Sequence, residues 1–269
     1  MKKLKKLFRS TLIVCGLVTL FYFGASFVRS GRVTEDVREI NTSHFILQYK
    51  GILESEAQGM AEYLEANYSR VRNDLADPEH EKISVYVHPD QNEFNKATGL
   101  ANSRANGTSR GPNVFHLMYQ TCFNSLFPAD MNKVAVHEFT HCVQLNILIQ
   151  DALAKAGDQP PAQFNQDFEK QFAENYPQWF WEALSDYEAG LVNKLSVKYG
   201  MHGQASLDEL NHSAQIYNVG YTIPEFLVNR FGKEKLPIFL RSYCDFENVL
   251  AVSEEQFEHE WKTFVEENY

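Results

Sequence analysis

The chain has 269 residues, 44% of them hydrophobic and 22% charged, with a formal net charge of −10. Those proportions support a buried core and exclude a disordered or low-complexity chain. Four cysteines with no CxxC pair exclude a disulfide scaffold.

The charge is segregated. Residues 1–32 hold seven Lys/Arg and no acid, so the remainder carries 18 basic against 35 acidic residues, a net of −17. An acidic body lacks the Lys/Arg clusters that engage phosphate, which excludes nucleic acid as a partner. Five basic residues within the first nine precede an uncharged, apolar stretch of 18 residues, 11–28. At about 1.5 Å per residue it reaches roughly 27 Å, enough to span a bilayer core. The basic flank places the N-terminus in the cytoplasm and the body outside, as a single-pass cell-membrane protein. The alternative is a cleavable signal, with Gly24-Ala25-Ser26 near the cut, and a secreted body. Residues 1–32 thus read as an anchor or signal segment, 33–42 as a short linker and 43–269 as one folded domain. Cys122, Cys142 and Cys244 in the body leave at least one thiol unpaired within the chain.

In chain order, residues 44–49 alternate as a strand, and 54–75 carry apolar residues at helical spacing up to Asp77-Pro78. Residues 83–88 form a second strand. Asp90 with Glu93 caps a short helix that ends at Gly99. The Asn/Gly/Ser-rich stretch 101–113 reads as a loop, and 114–119 as a third strand. A long helix over 131–154 follows, then a helix between Pro160-Pro161 and Pro177, and helices over 178–191, 214–231, 234–243 and 254–267. Strands with helices first and helices later predict an α+β fold with two lobes, about 43–150 and 151–269.

The chemistry lies between residues 137 and 186. His137-Glu138-Phe139-Thr140-His141 is an HExxH. On a helix, positions i and i+4 share a face, so both imidazoles reach one metal ion, and Glu138 sits beside it without ligating. Zinc suits two nitrogen donors and an open position. The flanking Val134, Ala135, Val136, Cys142, Val143 and Leu145 bury the helix, and polar groups buried there need partners. A third ligand is required, and Glu182 in the aromatic run 177–187 is the best candidate. Asp186, one turn later on the same face, accepts a ring N–H from a ligand histidine.

HEFTH followed by Trp181-Glu182-Ala183-Leu184-Ser185-Asp186 resembles the gluzincin metallopeptidases. The longer stretch over 177–187 is similar to the peptidase-MA-like group, with Ala183 where that group favours Gly and Ser185 where it favours Ala. The resemblance implies a two-lobed, zincin-like fold with the zinc helix between a mixed sheet/helix lobe and a mainly helical lobe. It implies one Zn2+ per chain held by His137, His141 and Glu182, with Glu138 as general base for hydrolysis of a peptide or protein substrate. A downstream Tyr or His stabilises the oxyanion in such enzymes, which points to Tyr217 first, then Tyr221 or His212. It also implies an edge strand that pairs with substrate, for which 114–119 is the candidate. The 41-residue gap from His141 to Glu182 makes 151–176 an insertion shaping the cleft. The competing reading is a non-catalytic binding or assembly protein on the same fold.

Overall fold

The structure is a computed structural model that describes residues 33, 35–78, 80–121, 125, 128–157, 159–201 and 206–269. The first half builds a five-stranded sheet from β1 (Arg38–Asn41), β2 (Phe45–Tyr49), β3 (Ile83–His88), β4 (Gly107–Ser109) and β5 (Val114–Met118), in the order β1-β2-β3-β5-β4. β2, β3 and β5 run parallel, while β1 and β4 pair antiparallel at the two edges. Strict alternation turns Ile83, Val85 and Val87 of β3 inward while Ser84, Tyr86 and His88 face the other side.

Two helices make the parallel crossovers. In α1 (Glu54–Asp74), Ala57, Met60, Ala61, Leu64, Tyr68 and Val71 recur every three or four residues and are buried. In α2 (Gln91–Thr98), the Asp90 carboxylate accepts the Asn92 and Glu93 N–H groups, and Gly99 ends the helix at φ 70°.

The second half is helical. It comprises α3 (Met131–Ala156), α4 (Pro161–Asn175), α5 (Gln178–Ala189), α6 (Lys194–Met201), α7 (Leu207–Leu210), α8 (Ile216–Val219), α9 (Thr222–Phe231), α10 (Lys235–Arg241), α11 (Phe246–Leu250) and α12 (Glu254–Asn268). The α+β organisation is the one expected. α3 is the central element: it packs on β4 and β5, on α1, and most extensively on α5. Asp130 caps it by accepting the Asn132 and Lys133 N–H groups.

Several expectations are corrected. No helix among the described residues is long and apolar enough to cross a membrane. The two longest carry charge along their length: Glu54 to Asp74 in α1, and Lys133, Glu138, Asp151 and Lys155 in α3. The cell-membrane placement with an extracytoplasmic body is therefore not supported, and the apolar stretch 11–28 on which it rested lies outside the described residues. Residues 38–41, read as linker, form β1, and residues 107–109, read as loop, form β4. Both are edge strands, with no apolar alternation to betray them. The strand over 114–119, expected at the substrate-pairing edge, is β5 and lies inside the sheet between β3 and β4. Cys142 and Cys244 are free and buried, and Cys122 lies outside the described residues.

Candidate metal centre

α3 and α5 together place the centre. Helical spacing puts His137 and His141 on one face of α3, their rings 4.6 Å apart and nearly perpendicular. Pro177 starts α5 and Gly190, at φ 63°, ends it, so Glu182 and Asp186 share the face turned toward α3. Glu182 Oε2 lies 3.3 Å from His137 Nε2 and 3.7 Å from His141 Nε2. All three side chains are buried, and they form a group able to hold a metal ion.

The surroundings point both imidazoles the same way. Asp186 Oδ1 takes the Nδ1–H of His137 at 2.9 Å. Ser185 Oγ lies 2.9 Å from Nδ1 of His141 and passes its own proton to the Trp181 carbonyl at 3.2 Å. Each ring therefore offers Nε2 to the same point. Gln178 Nε2 donates to Glu182 Oε1 at 3.0 Å, which leaves Oε2 for the histidines. A tetrahedral ion with bonds of about 2.0–2.1 Å sets neighbouring donors about 3.3–3.4 Å apart, close to the observed separations. The Glu182 carboxylate between the two imidazoles, with Asp186 behind His137, also supplies negative charge that a divalent cation would offset. The residues fit a metal ion.

Electrostatics follow from burial and these contacts. Burial works to raise the Glu182 carboxyl, but the hydrogen bonds from His137 and His141 hold it well below the usual range. Burial pushes His141 down to about 4. His137 is also buried, yet Asp186 and Glu182 draw it well above its ordinary value. Glu138 is pushed up to about 8, chiefly by burial, and its Oε2 has no hydrogen-bond partner among the described residues.

The centre opens into a cleft of about 690 Å³ walled by Asn106, Gly107, Val134, Trp181, Leu191 and Tyr217. Of the three oxyanion candidates, Tyr217 lines the cleft. It is 60% exposed, and its hydroxyl pKa is pushed up by partial burial and by the nearby carboxylates of Glu182, Asp186 and Glu138. Tyr221 packs against Tyr187 at 5.4 Å, and His212 is exposed on the turn before α8; neither lines the cleft. Residues 151–176, expected to shape the cleft, do not line it among the described residues. They brace it from behind. Phe172 meets the Trp181 ring edge-on, and Trp181 stacks flat on His141 at 4.2 Å. Tyr176 donates its hydroxyl proton to Gln144 Oε1 at 2.9 Å, and Gln144 Nε2 bonds Ser185 Oγ at 2.9 Å.

Sequence reasoning missed Gln144, Ser185 in this role, Gly107 and Ser109. Gln144 carried a usable signal, since it follows His141 by three residues on a buried helix. No family model matches this sequence, and no curated protein matches it. The class of protein therefore rests on the fold and the centre: an α+β protein with a buried His-His-Glu group able to bind a metal ion.

Proposed function

We propose that this protein is a zinc-dependent peptidase. The observation that carries the reading is the convergence of both Nε2 atoms on one Glu182 oxygen, with a buried carboxylate, Glu138, beside them and open to the cleft. Bound by His137, His141 and Glu182, zinc supplies Lewis acidity and lowers the pKa of water toward 7. Glu138 accepts the proton of the attacking water and delivers it to the leaving amine as the C–N bond breaks. The Tyr217 hydroxyl donates to the developing oxyanion. The free side of β4, along one wall of the cleft, offers backbone groups to an extended peptide.

Protein purified without chelators is expected to carry about one zinc per chain. Glu138→Gln is expected to keep the ion and to lose peptide hydrolysis by about 10²–10⁴-fold. Absence of bound metal ends the reading. Bound metal with no cleavage anywhere in a peptide library leaves a metal-binding protein without this activity.

A further inference from the structure

The register of β4 makes its two outer residues special. Met118 donates to Asn106 and Arg110 donates to Val114, so the narrow, bonded pairs of this ladder fall at 106, 108 and 110. Gly107 and Ser109 alternate with them and turn their backbone N–H and C=O groups to the free edge. The Ser109 backbone lies near the Glu138 carboxylate and works to lower its pKa against burial. Gly107 lies against the same side chain. A Cβ at this position would fall 2.6 Å from Glu138 Cγ and 2.7 Å from Cδ, and closer still to Oε1. No real side chain tolerates such contacts, and the collision covers the outer half of the glutamate rather than a mobile tip.

Backbone conformation does not explain this glycine. Gly99 and Gly111 adopt φ of 70° and 98° with open space around them, where the absence of a side chain permits a left-handed turn. Gly107 is extended strand at negative φ, which any residue adopts. The three atoms nearest to a Cβ there all belong to the Glu138 side chain. We propose that Gly107 is a positioning residue for Glu138: the missing side chain is the slot in which the carboxylate is held against the edge strand, aimed into the cleft. The role in hydrolysis rests on the peptidase reading; the steric coupling between the two residues does not.

The test is a double-variant cycle read in two ways. Thermal unfolding is measured for the wild type, Gly107→Ala, Glu138→Ala and the double variant, with and without added zinc. Gly107→Ala is expected to lower Tm by roughly 3–8 °C alone, from overpacking, and by almost nothing in the Glu138→Ala background, where the space has been vacated. Equal losses in both backgrounds overturn the proposal, whether or not any peptide is cleaved. Where hydrolysis is measurable, Gly107→Ala is expected to lower kcat on the order of 100-fold with KM and zinc content unchanged. In the same assay, the residual hydrolysis of Gly107→Ala/Glu138→Ala is expected to be no slower than that of Glu138→Ala, which removes the Cγ that meets the added methyl. A loss of zinc in Gly107→Ala, or an additive loss of kcat, counts against positioning and for a general distortion of the sheet.

Discussion

Ser185 Oγ sits 2.9 Å from His141 Nδ1, the same distance at which Asp186 Oδ1 meets His137 Nδ1. The two histidines are thus oriented equally well but by unequal partners, one a neutral hydroxyl and the other a carboxylate. A carboxylate raises the basicity of the ring it holds, whereas a hydroxyl mainly fixes its direction. Asp186→Asn is therefore expected to weaken zinc binding by about 100-fold, and Ser185→Ala by no more than about 10-fold. Competition with a chromophoric chelator measures both. Equal losses would mean that orientation, and not charge, sets the affinity.

Two buried glutamates on α5 separate the ligand role from burial itself. Glu182 faces the histidines, while Glu188, further along the helix, faces Arg70 of α1 at 2.5 Å. Glu182→Gln is expected to reduce zinc content to near zero after dialysis, because the amide offers a far weaker donor than the carboxylate. Glu188→Gln is expected to leave zinc content unchanged. Metal analysis of the two variants side by side decides it, and zinc loss in Glu188→Gln would show that any disturbance of α5 empties the centre.

Glu188 also sets a pH dependence of stability. Burial raises its carboxyl to about 7; Arg70 opposes this, and Asp74 adds to it. A short ion pair and a raised pKa coexist because the Arg70 side chain is 43% exposed and screened by water, while Glu188 is fully enclosed with Oε1 unpartnered among the described residues. Between about 4.5 and 7 the folded state holds this proton more readily than the unfolded chain, so the contribution of this group to stability falls as pH rises. Glu188→Gln is expected to remove that fall. Its Tm relative to the wild type should rise from pH 5 to pH 8, by an amount corresponding to at most roughly 3 kcal/mol. A constant difference across that range would place the titration elsewhere.

The opposite sign holds on the outer face of the sheet. His88 Nε2 and His116 Nδ1 are 3.0 Å apart and share one hydrogen bond, which requires the accepting nitrogen to be unprotonated, so the two rings cannot both be charged. Burial lowers both, His116 to about 4. The unfolded chain binds these protons first, so stability is lost as pH falls from 6.5 toward 4. His116→Phe, which keeps a ring stacked on Tyr86, is expected to flatten the acid side of the Tm profile. An unchanged slope would assign acid unfolding to other groups.

Periodicity made much of the molecule legible. The buried face of α1, the alternation of β2 and β3 and the Asp90 cap of α2 are local consequences of side-chain pattern. So is the pairing of His137 with His141, since four residues on a helix always share a side. The edge strands were not legible. Arg38–Asn41 and Gly107–Ser109 are strands because a neighbour supplies their hydrogen bonds, and neither carries an apolar stripe of its own.

The amino-acid sequence by itself determined which residues are able to ligate and to take a proton: two imidazoles and a carboxylate in HExxH, then a glutamate and an aspartate one turn apart. Only the tertiary structure decided that Glu182 meets both imidazoles, that Ser185 stands behind His141, that Tyr217 rather than Tyr221 reaches the cleft, and that Glu138 lies in the space Gly107 leaves. Those relations join segments far apart in the chain, where no rule of spacing applies. Packing α3 between the sheet and α5 brings them together, because that arrangement buries the apolar sides of all three.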